Sequence, residues 1–145
     1  MLGLDVGDKW IGLAASDALG YTAQGLPTIE RRIPAEALEQ IIQIIRQREI
    51  STLVVGMPKN MNGSIGFQGE KVQAFIDSLL ERMDEAGLGK PAVVYWDERL
   101  TTVAANRAML EGGLSRKKRK KAVDQIAAVL ILQGYMDFQN RSADC

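Results

Sequence analysis

Five short apolar runs, with amphipathic stretches set between the later ones, confine this chain to a narrow set of α/β arrangements. Residues 2–6 form an apolar run that ends at Gly7, and residues 10–15 form a second. The intervening Gly7-Asp8-Lys9 has the composition of a hairpin turn. Residues 22–29 read as a third strand, and Gly25 and Pro27 push it to a sheet edge, where a missing N–H is tolerated. Pro34 then opens a helix in which Leu38, Ile41, Ile42 and Ile45 recur at helical spacing. Residues 52–55 are β-branched and apolar and end at Gly56. A glycine-rich loop over 56–69 follows. Val72, Phe75, Ile76, Leu79, Leu80 and Met83 mark a second amphipathic helix, and residues 92–96 the last strand, which stops at Asp97-Glu98.

Thr101 or Thr102 can cap a third helix running to about Leu110, ended by Gly112-Gly113. Residues 123–138 read as a final helix after a basic run; its 126–132 segment is apolar all round and is expected to be well buried. The order β-β-β-α-β-α-β-α predicts a five-stranded mixed sheet flanked by helices. The first strands pair as antiparallel hairpins, and those following helices run parallel to the first through right-handed crossovers. With no internal repeat and no low-complexity linker, a single domain over residues 1–145 is expected.

What is absent narrows the chemistry. The chain has no histidine, and its one cysteine is Cys145. An intrachain disulfide is impossible, and Ser-His-Asp and Cys-His catalysis are excluded. A general base or metal site must come from carboxylates, Lys, Tyr or backbone, and oxygen-only ligands favour Mg²⁺ or Mn²⁺ over zinc or copper. No apolar run is long enough to span a membrane, and Asp5 breaks any secretory-signal pattern, so a cytoplasmic protein is expected.

The formal net charge of zero conceals an asymmetry. Six basic residues stand together as Arg116, Lys117, Lys118, Arg119, Lys120 and Lys121, leaving a net of −6 over the rest of the chain. A basic patch on an otherwise acidic protein suits a polyanionic partner, although a charge run by itself is more often a solvated loop.

Three carboxylates occupy informative places. Asp5 falls at the end of the first strand and Glu98 just past the end of the last. If those strands are parallel, both ends share the edge where open α/β sheets bind ligands. Asp124 opens the final helix, and Ala127, Ala128, Ile131 and Tyr135 follow it at helical spacing, so it shares the face expected to pack on the sheet. Carboxylates converging there repel unless cations lie between them, and such an arrangement serves in-line phosphoryl chemistry without histidine. Each has an ordinary alternative: an Asx turn for Asp5, pairing with Arg99 or Lys90 for Glu98, and an N-cap for Asp124.

The motifs together resemble one family. Leu4-Asp5-Val6-Gly7-Asp8-Lys9, Ile11-Gly12-Leu13-Ala14 and Ser16-Asp17 are similar to the opening of the YqgF (RuvX) family. Val54-Val55-Gly56-Met57-Pro58 with Met61-Asn62-Gly63 and Gly66 resembles its central loop. Asp97-Glu98-Arg99-Leu100-Thr101-Thr102 resembles its most specific signature, and Asp124 with Ala127-Ala128, Ile131-Leu132-Gln133 and Tyr135 its last helix. The resemblance spans nearly the whole chain. It implies an RNase H-like fold related to the resolvase RuvC, an acidic catalytic and metal site at Asp5, Glu98 and Asp124, Mg²⁺ or Mn²⁺ as cofactor, and a role in maturing the 5′ end of pre-16S ribosomal RNA. Trp10 departs from the basic or small polar residue common at that position, and a stacking contact could replace an ionic one there.

Around the acids, Gly7 suits either a tight turn or close approach to a metal or phosphate. Lys9, Lys59, Asn62, Arg99 and the 116–121 run are the candidate nucleic-acid contacts. The leading expectation is an endonuclease acting on precursor ribosomal RNA. Branched DNA is the alternative substrate, and a junction resolvase would need two sites, hence a homodimer rather than a monomer. A nucleotide-binding module of the actin-like kind would need a second such domain, and a non-catalytic scaffold would gain nothing from acids beside phosphate.

Overall fold

The computed structural model describes residues 1–59, 62–98 and 116–143, with the side chains of the last helix described over 125–141. The elements are β1 (Leu2–Val6), β2 (Trp10–Ser16), β3 (Ala23–Glu30), α1 (Pro34–Gln47), β4 (Thr52–Met57), α2 (Phe67–Glu85), β5 (Ala92–Asp97) and α3 (Arg116–Ala143). The helix expected over 101–110 falls outside the described residues. The five strands form one sheet in the order β3-β2-β1-β4-β5. β1 pairs antiparallel with β2, and β2 with β3. β1 and β4, and β4 and β5, pair parallel. The carboxyl ends of β1, β4 and β5 therefore meet at one edge, as the sequence order required. β3, with Gly25 and Pro27, is an edge strand as expected.

Strand alternation sorts the core into two layers. Leu2 and Leu4 of β1, Ile11 and Leu13 of β2, and Leu53, Val55 and Met57 of β4 pack on the apolar stripes of α1 and α2. The other face carries Ala14 and Val54 and meets Ala127, Ala128, Ile131, Leu132 and Met136 of α3. α3 lies almost on the backbone of β1: a Cβ added at Gly3 would sit 2.7 Å from Leu132 Cβ and 3.0 Å from the Ala128 carbonyl oxygen. The apolar 126–132 segment is only partly enclosed. Ala127, Ala128, Ile131 and Leu132 are buried, while Ile126, Val129 and Leu130 are half-buried, because one sheet face covers one helix face.

α3 crosses the sheet obliquely, from Gln125 beside Gly25 of β3, past Ile131 over Gly56 of β4, to Tyr135 and Phe138 against Trp96 of β5 at 5.9 and 5.8 Å between ring centroids. Two glutamines fasten it to the edge strand and its approach. Gln125 Nε2 donates to the Leu26 carbonyl (2.9 Å). Gln133 Oε1 accepts from the Ala23 N–H (2.9 Å), and its Nε2 donates to the Tyr21 carbonyl (2.8 Å).

α2 starts earlier than the glycine-rich composition suggests. Gly69 lies inside the helix, where a Cβ would come within 2.6 Å of Ile65 Cγ2 and 3.0 Å of Met57 Sδ. That glycine serves close packing of helix on loop, not loop freedom. Among the described residues, no helix is long and apolar enough to cross a membrane.

Candidate active site

Asp5 is a strand residue and not part of a turn: it pairs with Gly12 across the β1–β2 ladder. Its neighbours Leu4 and Val6 take the α1/α2 face, so alternation gives Asp5 to the α3 face. At 4% exposure, it is the one charged residue among the described residues to be buried. A carboxylate so placed is costly unless its surroundings match its charge.

Glu98 follows β5 directly, and the β4–β5 register sets Gly56 beside Trp96 and Met57 beside Asp97. Its Oε1 would lie 2.9 Å from a Cβ at Gly56, and Ile131 Cδ1 presses on the same spot. The Glu98 carboxylate thus rests over bare backbone, in space that only glycine leaves open. Asp5 and Glu98 line one cavity of about 270 Å³, together with Gly7, Asp8, Gly56, Pro58, Gln68 and others. The alternative partner Lys90 is turned elsewhere, 3.7 Å from Asp84. Asp8 on the cavity wall is more exposed, with Lys71 Nζ 3.6 Å from its Oδ1.

The β1–β2 turn closes through the Gly7 N–H donating to the Trp10 carbonyl (2.9 Å). Arg31, which the sequence did not single out, fixes this turn. Its Nη1 donates to the Gly7 carbonyl (2.8 Å), its own N–H donates to the Lys9 carbonyl (2.8 Å), and its guanidinium lies 4.8 Å from the Phe75 ring centroid. Only the doublet Arg31-Arg32 after the third strand could have drawn attention to it. Lys9 is exposed at the turn, and Trp10, half-buried, takes by alternation the same face as Gly12 and Asp5.

In the β4–α2 loop, Lys59 forms an antiparallel bridge with Ile65. Asn62 Oδ1 accepts from the Ser64 N–H (3.0 Å) and Ser64 Oγ (2.6 Å), so this candidate contact residue also holds the loop's own turn.

Two expectations about α3 change. The basic run at 116–121 forms the helix's first turns and not a segment before it. Asp124 is therefore well inside the helix, which removes the N-cap reading, and lies one turn before Ala127 and Ala128 on the helix that covers the Asp5 face. The side chains of Asp124 and of residues 116–121, and the whole of Arg99, lie outside the described residues. Among the described residues, the structure brings Asp5 and Glu98 together; it shows no set of three potential metal ligands.

A mixed sheet in this strand order, flanked by helices, belongs to a known class of fold. The fold matches Thermus thermophilus RuvC, solved with a Holliday junction substrate, with a TM-score of 0.57 at 15% identity, covering 97% of this chain and 96% of that one. It also matches the yeast mitochondrial Holliday junction resolvase Ydc2, with a TM-score of 0.52 at 12% identity over 99% and 80% of the two chains. This is the RNase H-like fold, and at such identities the likeness is one of fold alone.

The sequence is more specific. The profile of the family described as "RuvX: Holliday junction resolvase" matches residues 1–138, and the chain belongs to that family. A Clostridium botulinum relative (strain Hall) named "Putative pre-16S rRNA nuclease" is 55% identical over 137 residues, covering 94% of this chain and 96% of the relative. A relative of the same name from Clostridium acetobutylicum is 52% identical, covering 94% and 97%.

Proposed function

We propose that this chain is a metal-dependent endonuclease that hydrolyses nucleic-acid phosphodiester bonds, acting at the 5′ end of pre-16S ribosomal RNA in the cytoplasm. The observation that carries the reading is the shared cavity of Asp5 and Glu98 at the sheet's carboxyl edge. Membership of the RuvX family and the name borne by relatives above half identity support the substrate class.

The cavity suits a hard divalent ion. Its described lining includes Asp5, Asp8 and Glu98 and no lysine or arginine. In a chain without histidine, the available side-chain donors are oxygens. Asp5 and Glu98, with Asp124 as the third ligand, would hold Mg²⁺ or Mn²⁺. Such an ion, when bound, supplies charge neutralisation at the phosphate and a water acidic enough to attack near neutral pH.

The protein's own contribution is positional. Strand pairing and burial hold Asp5 in one place, so its carboxylate needs little rearrangement on substrate binding. The missing side chain at Gly56 leaves the room in which the Glu98 carboxylate and Ile131 settle. Arg31 fixes the turn that carries Gly7, Asp8 and Lys9. Lys9, Lys59, Asn62, Arg99 and the 116–121 run are the proposed contacts to the substrate backbone, the cations supplying positive charge.

The family description favours a second reading, in which four-way DNA junctions are cut by a homodimer presenting two such sites. Cleavage of precursor 16S RNA and of a four-way junction, each with Mg²⁺ or Mn²⁺, is the direct test on wild type, Asp5→Asn and Glu98→Gln. Wild type is expected to cut the RNA, and each variant to lose on the order of 10²- to 10³-fold in rate. Variants that cut as well as wild type would remove the acids from the mechanism. Cleavage confined to the junction would select the second reading.

A further inference from the structure

We propose that Phe67, backed by Lys71, is a stacking platform for an unpaired nucleobase beside the phosphate to be cut; the inference rests on the reading of the cavity as a nuclease site. Phe67 is the first residue of α2 and is 70% exposed. The next residue, Gln68, lines the cavity, and so does Val72 one turn further on. Lys71 Nζ lies 4.5 Å from the Phe67 ring centroid and 3.6 Å from Asp8 Oδ1, itself on the cavity wall. One ammonium therefore ties the ring to the rim of the acidic cleft.

The helix start that carries the ring is fixed from below. Gly69, in the same first turn, packs against Ile65 and Met57 so closely that no Cβ fits, which docks the start of α2 on the loop. A single exposed aromatic is ordinary on a protein surface. One that is docked, cation-backed and adjacent to a cleft for phosphodiesters has the parts of a single-strand subsite: a π-face for a base and a positive charge for its phosphate. The Lys71–Asp8 pair is exposed and hence weak, so Lys71 can exchange the carboxylate for a phosphate at little cost. A paired base is stacked within its duplex and cannot offer its face, so the platform would favour an unpaired stretch.

The test uses the full chain carrying Asp5→Asn to suppress cleavage. It is titrated with a short single-stranded RNA containing 2-aminopurine and with the same strand annealed to its complement. Phe67→Ala is expected to weaken single-strand binding about tenfold and abolish the fluorescence quench of stacking, with duplex affinity unchanged. Phe67→Trp should restore both. Lys71→Gln should lower the salt slope of binding by about one. Thermal melting of each variant checks the fold. Unchanged single-strand affinity in Phe67→Ala, or an equal loss for both RNAs, overturns the platform while leaving the cleft's function standing. A protein that binds neither RNA overturns the nuclease reading and the platform with it.

Discussion

The two faces of the sheet are made from opposite kinds of residue, and β1 shows the contrast within five positions. Leu2, Leu4 and Val6 point to α1 and α2 among large aliphatic side chains. Gly3 and Asp5 point the other way, where Gly12, Ala14 and Gly56 keep the surface low and α3 nearly touches backbone. The first face is filled for cohesion. The second is thinned, so that a helix can approach and a cleft can open at its end. A site needs space beside rigid strands, and the small residues supply the space while the opposite face supplies the rigidity.

The sharpest way to break this contrast is to damage the cohesive face. Leu4 is fully buried, and Leu4→Ala should cost about 2–5 kcal/mol of stability, read as a lower urea midpoint. Cleavage per folded molecule should survive, since Leu4 is not part of the cleft's lining; loss of activity in proportion to neither unfolding nor binding would show the faces to be coupled. Asp5→Asn should do the reverse, removing cleavage while changing the unfolding free energy from urea melts by no more than about 1 kcal/mol.

Gly56→Ala probes the junction of the two roles. The added methyl meets Ile131 and the Glu98 carboxylate, so about 1–3 kcal/mol of stability and most of the cleavage should be lost together. A fully active, fully stable variant would mean that α3 shifts freely. The smallest effect is expected at Gln133→Ala, about 1 kcal/mol, with earlier hydrogen exchange at the Ala23 amide it now bonds.

The architecture was legible because it is written in local periodicity. Apolar runs ending at Gly7, Gly56 and Asp97 give the strands, and parallel pairing of β1, β4 and β5 follows from the helices between them. The meeting of Asp5 and Glu98 in one cavity was foreseeable from that topology alone. What escaped depends on contacts between distant positions. Gln133 and Ala23 are 110 residues apart in sequence, and Arg31 reaches Gly7 from 24 residues away. Neither residue type announces such a role. The start of α3 was misread for another reason: six adjacent cations look like a solvated segment, yet Lys and Arg are good helix formers and extend the helix through Arg116. The local role of Asn62 was equally hidden, because a polar residue in a glycine-rich loop serves the loop's own hydrogen bonds as readily as a ligand's.

The fastening of α3 to β3 has a consequence beyond stability. An open edge strand offers unpaired N–H and C=O groups on which another chain can template, the first step of sheet-to-sheet aggregation. Here Gln133 takes the Ala23 N–H, Gln125 takes the Leu26 carbonyl, and Pro27 has no N–H to give. Growth of the sheet across these positions of β3 by a second copy is thereby disfavoured.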